Sequence, residues 1–300
     1  MSELLKIIIF VLLLLTPATG FGRQVVDQAG RAVEVPAGIT RIVSLAPSIT
    51  EVVFSLGRQD LLKGATLYSD DPPEARELPR VGSYVQLDVE KIVALRPDLC
   101  LAIKDGNPLH TIRRIESLGI PVYVVNPRSL DGIIEMINGL GDILGAGNRA
   151  ARITGDMRVR IARVREKLSG EIERPRVFFQ IDAAPIVSAG RDTFIHELIV
   201  TAGGINLAAD AGTAYPKFSW EDILVFRPEV AIVASMAGGF SVEELRSGWR
   251  KWPQLPAVKD NRLHVVEANL VDRPTPRLVD GLEAFAAIIH PELFGGEPDD

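Results

Sequence analysis

The sequence predicts an α/β fold in which two Rossmann-like lobes of similar design are joined by a single long backbone helix. Three observations carry this expectation. Short apolar strand patterns alternate with helical patterns along most of the chain, as in a sheet whose parallel strands are linked by crossover helices. One unit occurs twice: "VEKIVALRPDLCLAI", from Val89 to Ile103, and "WEDILVFRPEVAIVAS", from Trp220 to Ser235. Both read Glu, any residue, Ile, Val or Leu, two more residues, Arg-Pro and an acid before an apolar run. Their glutamates, Glu90 and Glu221, lie 131 positions apart (221 minus 90), which predicts a duplicated lobe. Between the copies, "NRAARITGDMRVRIARVREKLSG" sets Ile153, Met157, Ile161, Val164 and Leu168 on one face and arginines over the rest, as an amphipathic helix would.

Taken in order, the chain opens with "MSELLKIIIFVLLLLTPATGFGR". Lys6 precedes an apolar run from Ile7 to Leu15, followed by Pro17 and the small-residue site Ala18-Thr19-Gly20, the pattern of a secretory signal peptide. The run is shorter than the roughly 20 residues that span a bilayer. Cleavage near Gly20 and a soluble exported protein starting near Phe21 are expected. The one cysteine, Cys100, falls in a strand pattern, so neither a disulfide framework nor lipid attachment at the cleavage site is expected.

"VVDQAGRAVEVP" alternates apolar and polar residues around Ala29-Gly30, as a β-hairpin does. "RIVSL" then reads as a buried strand and "SITEVVFSLG" as a helix, with Ser48 and Glu51 at capping-box spacing and Gly57 as the stop. In the repeat, Asp88 and Ser219 are placed to cap short helices that must end before Pro97 and Pro228, because the residue before proline is pushed out of the right-handed α region. The strands "DLCLAI" and "VAIVA" follow. "RVFFQI" and "DTFIHELIVTAGG" repeat the first strand and helix. The central helix, Asn148 to Ser169, should be about 33 Å long, enough to strut two lobes. The expected division is a signal peptide at 1–20, an N-terminal lobe at 21–146, the interlobe helix at 147–172 and a C-terminal lobe at 173–300.

With 300 residues, 47% hydrophobic and 24% charged, the chain is long enough for two real cores. A net charge of −6 argues against a surface that neutralises phosphates, so no nucleic-acid partner is expected. The arginine face of the long helix is read as a solvated one.

No catalytic or metal-binding set is recognisable. The four histidines, His110, His196, His264 and His290, lack the spacing of a helical zinc site. "GLGDILG", Gly139 to Gly145, follows a helical pattern where a dinucleotide loop needs a strand. Asp70 and Asp71 before Pro72-Pro73 read as a polar turn. What the loops carry instead is aromatic: Tyr68, Tyr84, Tyr215, Phe218 and Trp220. Loops outside the carboxyl ends of parallel strands are where open α/β sheets bind ligands, and exposed aromatics there suit a large, flat, partly apolar molecule.

"RIVSLAPSITEVVFSLG", "YSDDPPEARELPRVGSYVQLDVEKIVALRPDL", "LGIPVYVVNP", "SAGRDTFIHELIVTAGGINLA", "FSWEDILVFRPEVAIV" and "DRPTPRLVDGLEAFAAIIHPELF" together resemble the ABC-transporter substrate-binding proteins of the cobalamin and iron-siderophore group, over almost all of the mature chain. The resemblance implies a class III periplasmic binding protein with its ligand between the lobes, monomeric when free, that delivers to a permease dimer with its ATPase subunits. It maps ligand contacts onto Ala46, Pro47, Ser48, Tyr68, Tyr84, Tyr215 and Arg273. It maps one transporter-docking glutamate per lobe onto Glu90 and Glu221.

The "DRPTPR" loop also has a local rationale: Thr275 and Pro276 suit the start of the last helix, Arg273 is then held toward the cleft, and Arg277 is read as structural. Relatives often have glycine where Thr275 stands. "YSDDPP" and Tyr84, two residues after "VG", are similar to the cobalamin-binding branch. Haem-binding members tend to put a ligating tyrosine one position earlier, where this chain has Ser83. Ferric siderophores are anionic and usually meet several arginines, for which Arg273 and Arg191 are the candidates. The expected ligand is a cobalt corrinoid, with no resident cofactor or metal; a ferric siderophore is the alternative. An exported α/β enzyme and a non-transport sensor on the same fold are the rival classes.

Overall fold

The structure, a computed structural model, describes residues 22–170, 172–235 and 240–295. The expected signal segment and cleavage site lie outside the described residues. A hairpin, β1 (Arg23–Val26) and β2 (Ala32–Val35), turns at Gly30, whose φ of 78° favours glycine. The Gln28 side chain fastens the hairpin by donating to the Gly132 carbonyl and accepting from the Asn126 amide.

The first half then builds a parallel sheet from β3 (Ile42–Ser44), β4 (Leu62–Gly64), β5 (Leu99–Ile103) and β6 (Val122–Val125), in spatial order β4-β3-β5-β6. Its strands are apolar on both faces because helices cover both. Cys100 sits in β5, and burial pushes its thiol up to about 12.

In the second half, β7 (Arg176–Gln180) leads to β8 (Asp182–Ala183) and β9 (Ile186–Val187). Then come β10 (Ile205–Asn206), β11 (Lys217–Phe218), β12 (Val230–Ala234) and β13 (Leu263–Val266). The parallel sheet runs β10-β7-β12-β13, and β11-β9-β8 form a small antiparallel one. Within each half the spatial order is second, first, third, fourth strand, so the duplication seen in the repeat extends to the topology.

The repeat explains its own letters. Asp88 accepts from the Lys91 amide at 3.0 Å, and Ser219 forms a full capping box with Asp222. The helices end at Ala94 and Phe226, and the next arginines before proline, Arg96 and Arg227, adopt left-handed φ of 47° and 48°. The acids after the prolines reach the start of the neighbouring strand: Asp98 accepts from the Arg41 amide at 2.9 Å, and Glu229 from the Arg176 amide at 2.7 Å. The guanidinium groups of Arg41 and Arg176 in turn donate to the terminal carbonyls of Leu95 and Phe226.

The connecting helix, Gly147–Lys167, begins one residue before and ends two before the expected limits. Met157, Ile161, Val164 and Leu168 are buried and Ile153 is half-buried. The helix packs on Leu130–Ile143 of the first half and Leu278–Ile289 of the second. Arg160 fixes it to Glu283 and Asp280. One apolar core thereby runs from Val33 to Ile289 through both halves, with a satellite cluster outside each sheet.

Three local expectations are corrected. The helix Pro47–Ser55 has Ala46 at its N-cap with no side-chain cap, so Ser48 and Glu51 do not form a capping box; both are buried. Thr275 caps nothing, since the last long helix has Arg277 at its N-cap, and the Thr275 hydroxyl is buried without a hydrogen-bond partner among the described residues. Phe218 and Trp220 pack with Phe178, Phe226, Trp249 and Trp252 rather than facing a ligand site.

Candidate functional site in the interlobe cleft

In both sheets the strand order reverses between the first and third strands of the half, and these switch points open toward one cleft. Ala46, Pro47 and Ser48 after β3, Asp105 and Gly106 after β5, and Ile181 and Ser235 after β7 and β12 all line it. Its volume is about 1120 Å³, above the roughly 300–1,000 Å³ typical of pockets for drug-sized ligands.

All seven residues expected at the site, Ala46, Pro47, Ser48, Tyr68, Tyr84, Tyr215 and Arg273, line this cavity. The three tyrosines are 59%, 37% and 43% exposed, which for rings beside an apolar wall leaves broad faces uncovered. Each is held by its loop. Tyr68 follows Thr66 and precedes Ser69, whose hydroxyls join those of Thr50 and Ser44 in a buried network. The Tyr84 ring lies on Gly106, where a Cβ would stand 2.6 Å from the ring. Asn107 locks this corner by donating to the carbonyls of Leu45 at 2.9 Å and Tyr84 at 2.7 Å. The loop bearing Tyr215 is tied to the neighbouring segment by Gly190 donating to the Ala214 carbonyl and Ser188 to that of Pro216.

Arg273 reaches the cleft wall, but its charge is engaged. It donates to Glu51 Oε1 at 2.6 Å, to Asp70 Oδ1 at 3.3 Å and to the Tyr68 carbonyl at 3.2 Å, all in the first half. Burial pushes the Glu51 carboxyl up, and its bond to Arg273 opposes that. Arg277 pairs with Asp71 and, at 3.6 Å, with Glu267. Asp70 and Asp71 therefore do more than turn the chain: they join the halves. Arg191 is outside the cavity lining and pairs with Asp210.

The residues that sequence reasoning missed are the acids and polar groups at strand and helix ends: Asp105, Arg128, Asp192, Glu267 and Asp272. Asp105 and Arg128 pair at 3.3 Å. Both carboxylate oxygens of Asp272 are buried with no hydrogen-bond partner among the described residues, and burial pushes this carboxyl up to about 7, with Arg273 pulling the other way. The usable signal for these positions was their place just past a strand or before a helix. Among the described residues no group of three or more His, Cys, Asp or Glu side chains is placed to hold a metal ion.

Comparison with known proteins matches residues 42–270 to the family described as periplasmic binding protein. The vitamin B12-binding protein of Vibrio cholerae serotype O1 is 32% identical over 251 residues, which cover 83% of this chain and 88% of that protein. The crystal structure of the periplasmic vitamin B12 binding protein of Vibrio cholerae aligns with a TM-score of 0.77 at 30% identity, covering 84% of this chain and 97% of that one. A periplasmic haem binding protein from Pseudomonas aeruginosa aligns equally well, with a TM-score of 0.77 at 27% identity over 88% and 96% of the two chains. These relatives are binding proteins rather than enzymes.

Proposed function

The chain belongs to the periplasmic binding protein family, and from that premise we propose that it is the extracytoplasmic substrate-binding component of an ABC importer, capturing a cobalamin-like corrinoid between its lobes. The observation that carries this reading is the set of three tyrosine faces, brought from loops of both halves onto one cavity of about 1120 Å³. A corrin ring is large, flat and partly apolar, and aromatic walls suit it. The relatives named for vitamin B12 support the choice of ligand.

Two features weigh against the alternatives. At the position where a haem-ligating tyrosine is expected, Ser83 spends its hydroxyl accepting from the Gln86 amide at 3.0 Å. For an anionic ferric siderophore, the cleft offers Arg128 and Arg273 already paired with acids. Loaded protein would deliver to a permease dimer with its ATPase subunits, for which exposed Glu90 and Glu221, each second in its helix, are the docking groups.

The test is a thermal-shift screen of the mature protein with cyanocobalamin, ferric siderophores and haem, because a ligand that binds only the native state raises its melting temperature. Stabilisation by cyanocobalamin is expected. Stabilisation by a siderophore or haem with none by cyanocobalamin overturns the ligand assignment.

A further inference from the structure

Among the described residues, five carboxylates contribute to the cleft wall, Asp70, Asp105, Asp192, Glu267 and Asp272, against two guanidinium groups, Arg128 and Arg273. Both guanidiniums are consumed, Arg128 by Asp105 and Arg273 by Glu51 and Asp70, while Glu267 leans on Arg277. Asp192 and Asp272 have no ion pair among the described residues. The amino ends of the helices Pro47–Ser55, Phe194–Thr201 and Ala268–Val271 also reach the wall. Each supplies only about half a unit of positive charge, so together they fall short of two carboxylates.

Asp272 is the unusual member. A buried carboxylate with neither oxygen hydrogen-bonded is a costly group, and a fold that keeps one at a cavity wall calls for a partner that arrives with the ligand. A carboxylate can only accept, so the complementary ligand group is an N–H or O–H donor. A carboxylate on the ligand would instead place a second negative charge in a wall where, among the described residues, both cations are already paired.

We propose that the cleft selects its ligand by charge, with Asp272 accepting a hydrogen bond from a neutral amide on the ring periphery and Asp192 joining it in rejecting rings that carry carboxylates. This rests on the cleft being the ligand site and deepens that reading. It places amidated corrinoids inside the substrate class and their free-acid counterparts outside it. Burial that raises the Asp272 carboxyl to about 7 agrees with its isolation.

The experiment titrates the full mature chain, at about pH 8 so that Asp272 is mainly ionised, with two probes: dicyanocobinamide, whose periphery is amidated, and cobyrinic acid, the same ring bearing carboxylates. The parent should bind dicyanocobinamide at least about tenfold more tightly. Asp272→Asn should weaken dicyanocobinamide by about tenfold or more, as losing a hydrogen bond to a charged group does. Asp192→Asn, at an exposed position that does not endanger folding, should strengthen cobyrinic acid severalfold.

Equal parent affinities for the two probes overturn the charge selection. Dicyanocobinamide bound by a folded Asp272→Asn variant as tightly as by the parent overturns the acceptor role. If the parent binds no corrinoid, cationic ferrioxamine B and anionic ferric enterobactin replace the pair. Preference for ferrioxamine B then retains charge selection while discarding the corrinoid; preference for enterobactin, or binding of neither, discards both.

Discussion

The tyrosines and Asp272 act on different quantities and can be tested apart. Replacing Tyr84 or Tyr215 by alanine removes an aromatic face from the cavity, and each should weaken corrinoid binding by about 1 kcal/mol or more in a fluorescence titration; unchanged curves for both would reject these contacts. Asp272 bears on stability as well. Its folded value, raised to about 7, stands above the usual 3.8, so between those values the folded state holds more protons than the unfolded one. The contribution of this one group to stability is therefore full below about pH 4 and is lost as pH climbs through about 7. The Asp272→Asn variant escapes this decline. Its advantage in melting temperature should grow from near zero around pH 4 to several degrees around pH 8 and then level off; an advantage independent of pH would show that the carboxyl is not held in the way described. The tyrosines were legible in the sequence because an aromatic in a proline-rich loop stands out by itself. Glu51 was not, because its partner Arg273 is 222 positions away and its spacing from Ser48 imitated a cap.

At the scale of elements, the repeat is a joint between a helix and the neighbouring strand. The caps at Asp88 and Ser219 were legible, being interactions over three residues. The acids at 98 and 229 were not, because they meet strand starts 57 and 53 positions away. None of that joint needs Glu90 or Glu221, which stand exposed at equivalent helix positions. An acid in the first turn favours the helix dipole by roughly 0.3–1 kcal/mol, which accounts for either one locally. Their matching positions suit a two-fold partner, whose complementary charges would set register and speed encounter. Glu90→Ala combined with Glu221→Ala should leave ligand affinity close to the parent and impair ATP-driven uptake in reconstituted vesicles. Normal uptake by the double variant would falsify the docking role.

For the whole molecule, the repeat made the duplicated topology legible, whereas the union of the halves came from contacts with no sequence signature. The continuous core, the strut fixed by Arg160, and the pairs from Arg273 and Arg277 to the first half bind the two sheets into one unit. Calorimetry should accordingly show one transition with equal calorimetric and van't Hoff enthalpies. Two resolved transitions would mean that the lobes melt independently. The sealed thiol of Cys100 has a further, practical reach. Raised to about 12 inside β5, it presents essentially no thiolate near neutrality, so the chain carries no reactive cysteine of its own. A single Val85→Cys substitution at the exposed cleft rim would therefore take a maleimide dye at one defined place, turning the unmodified background into an optical sensor for whatever enters between the lobes.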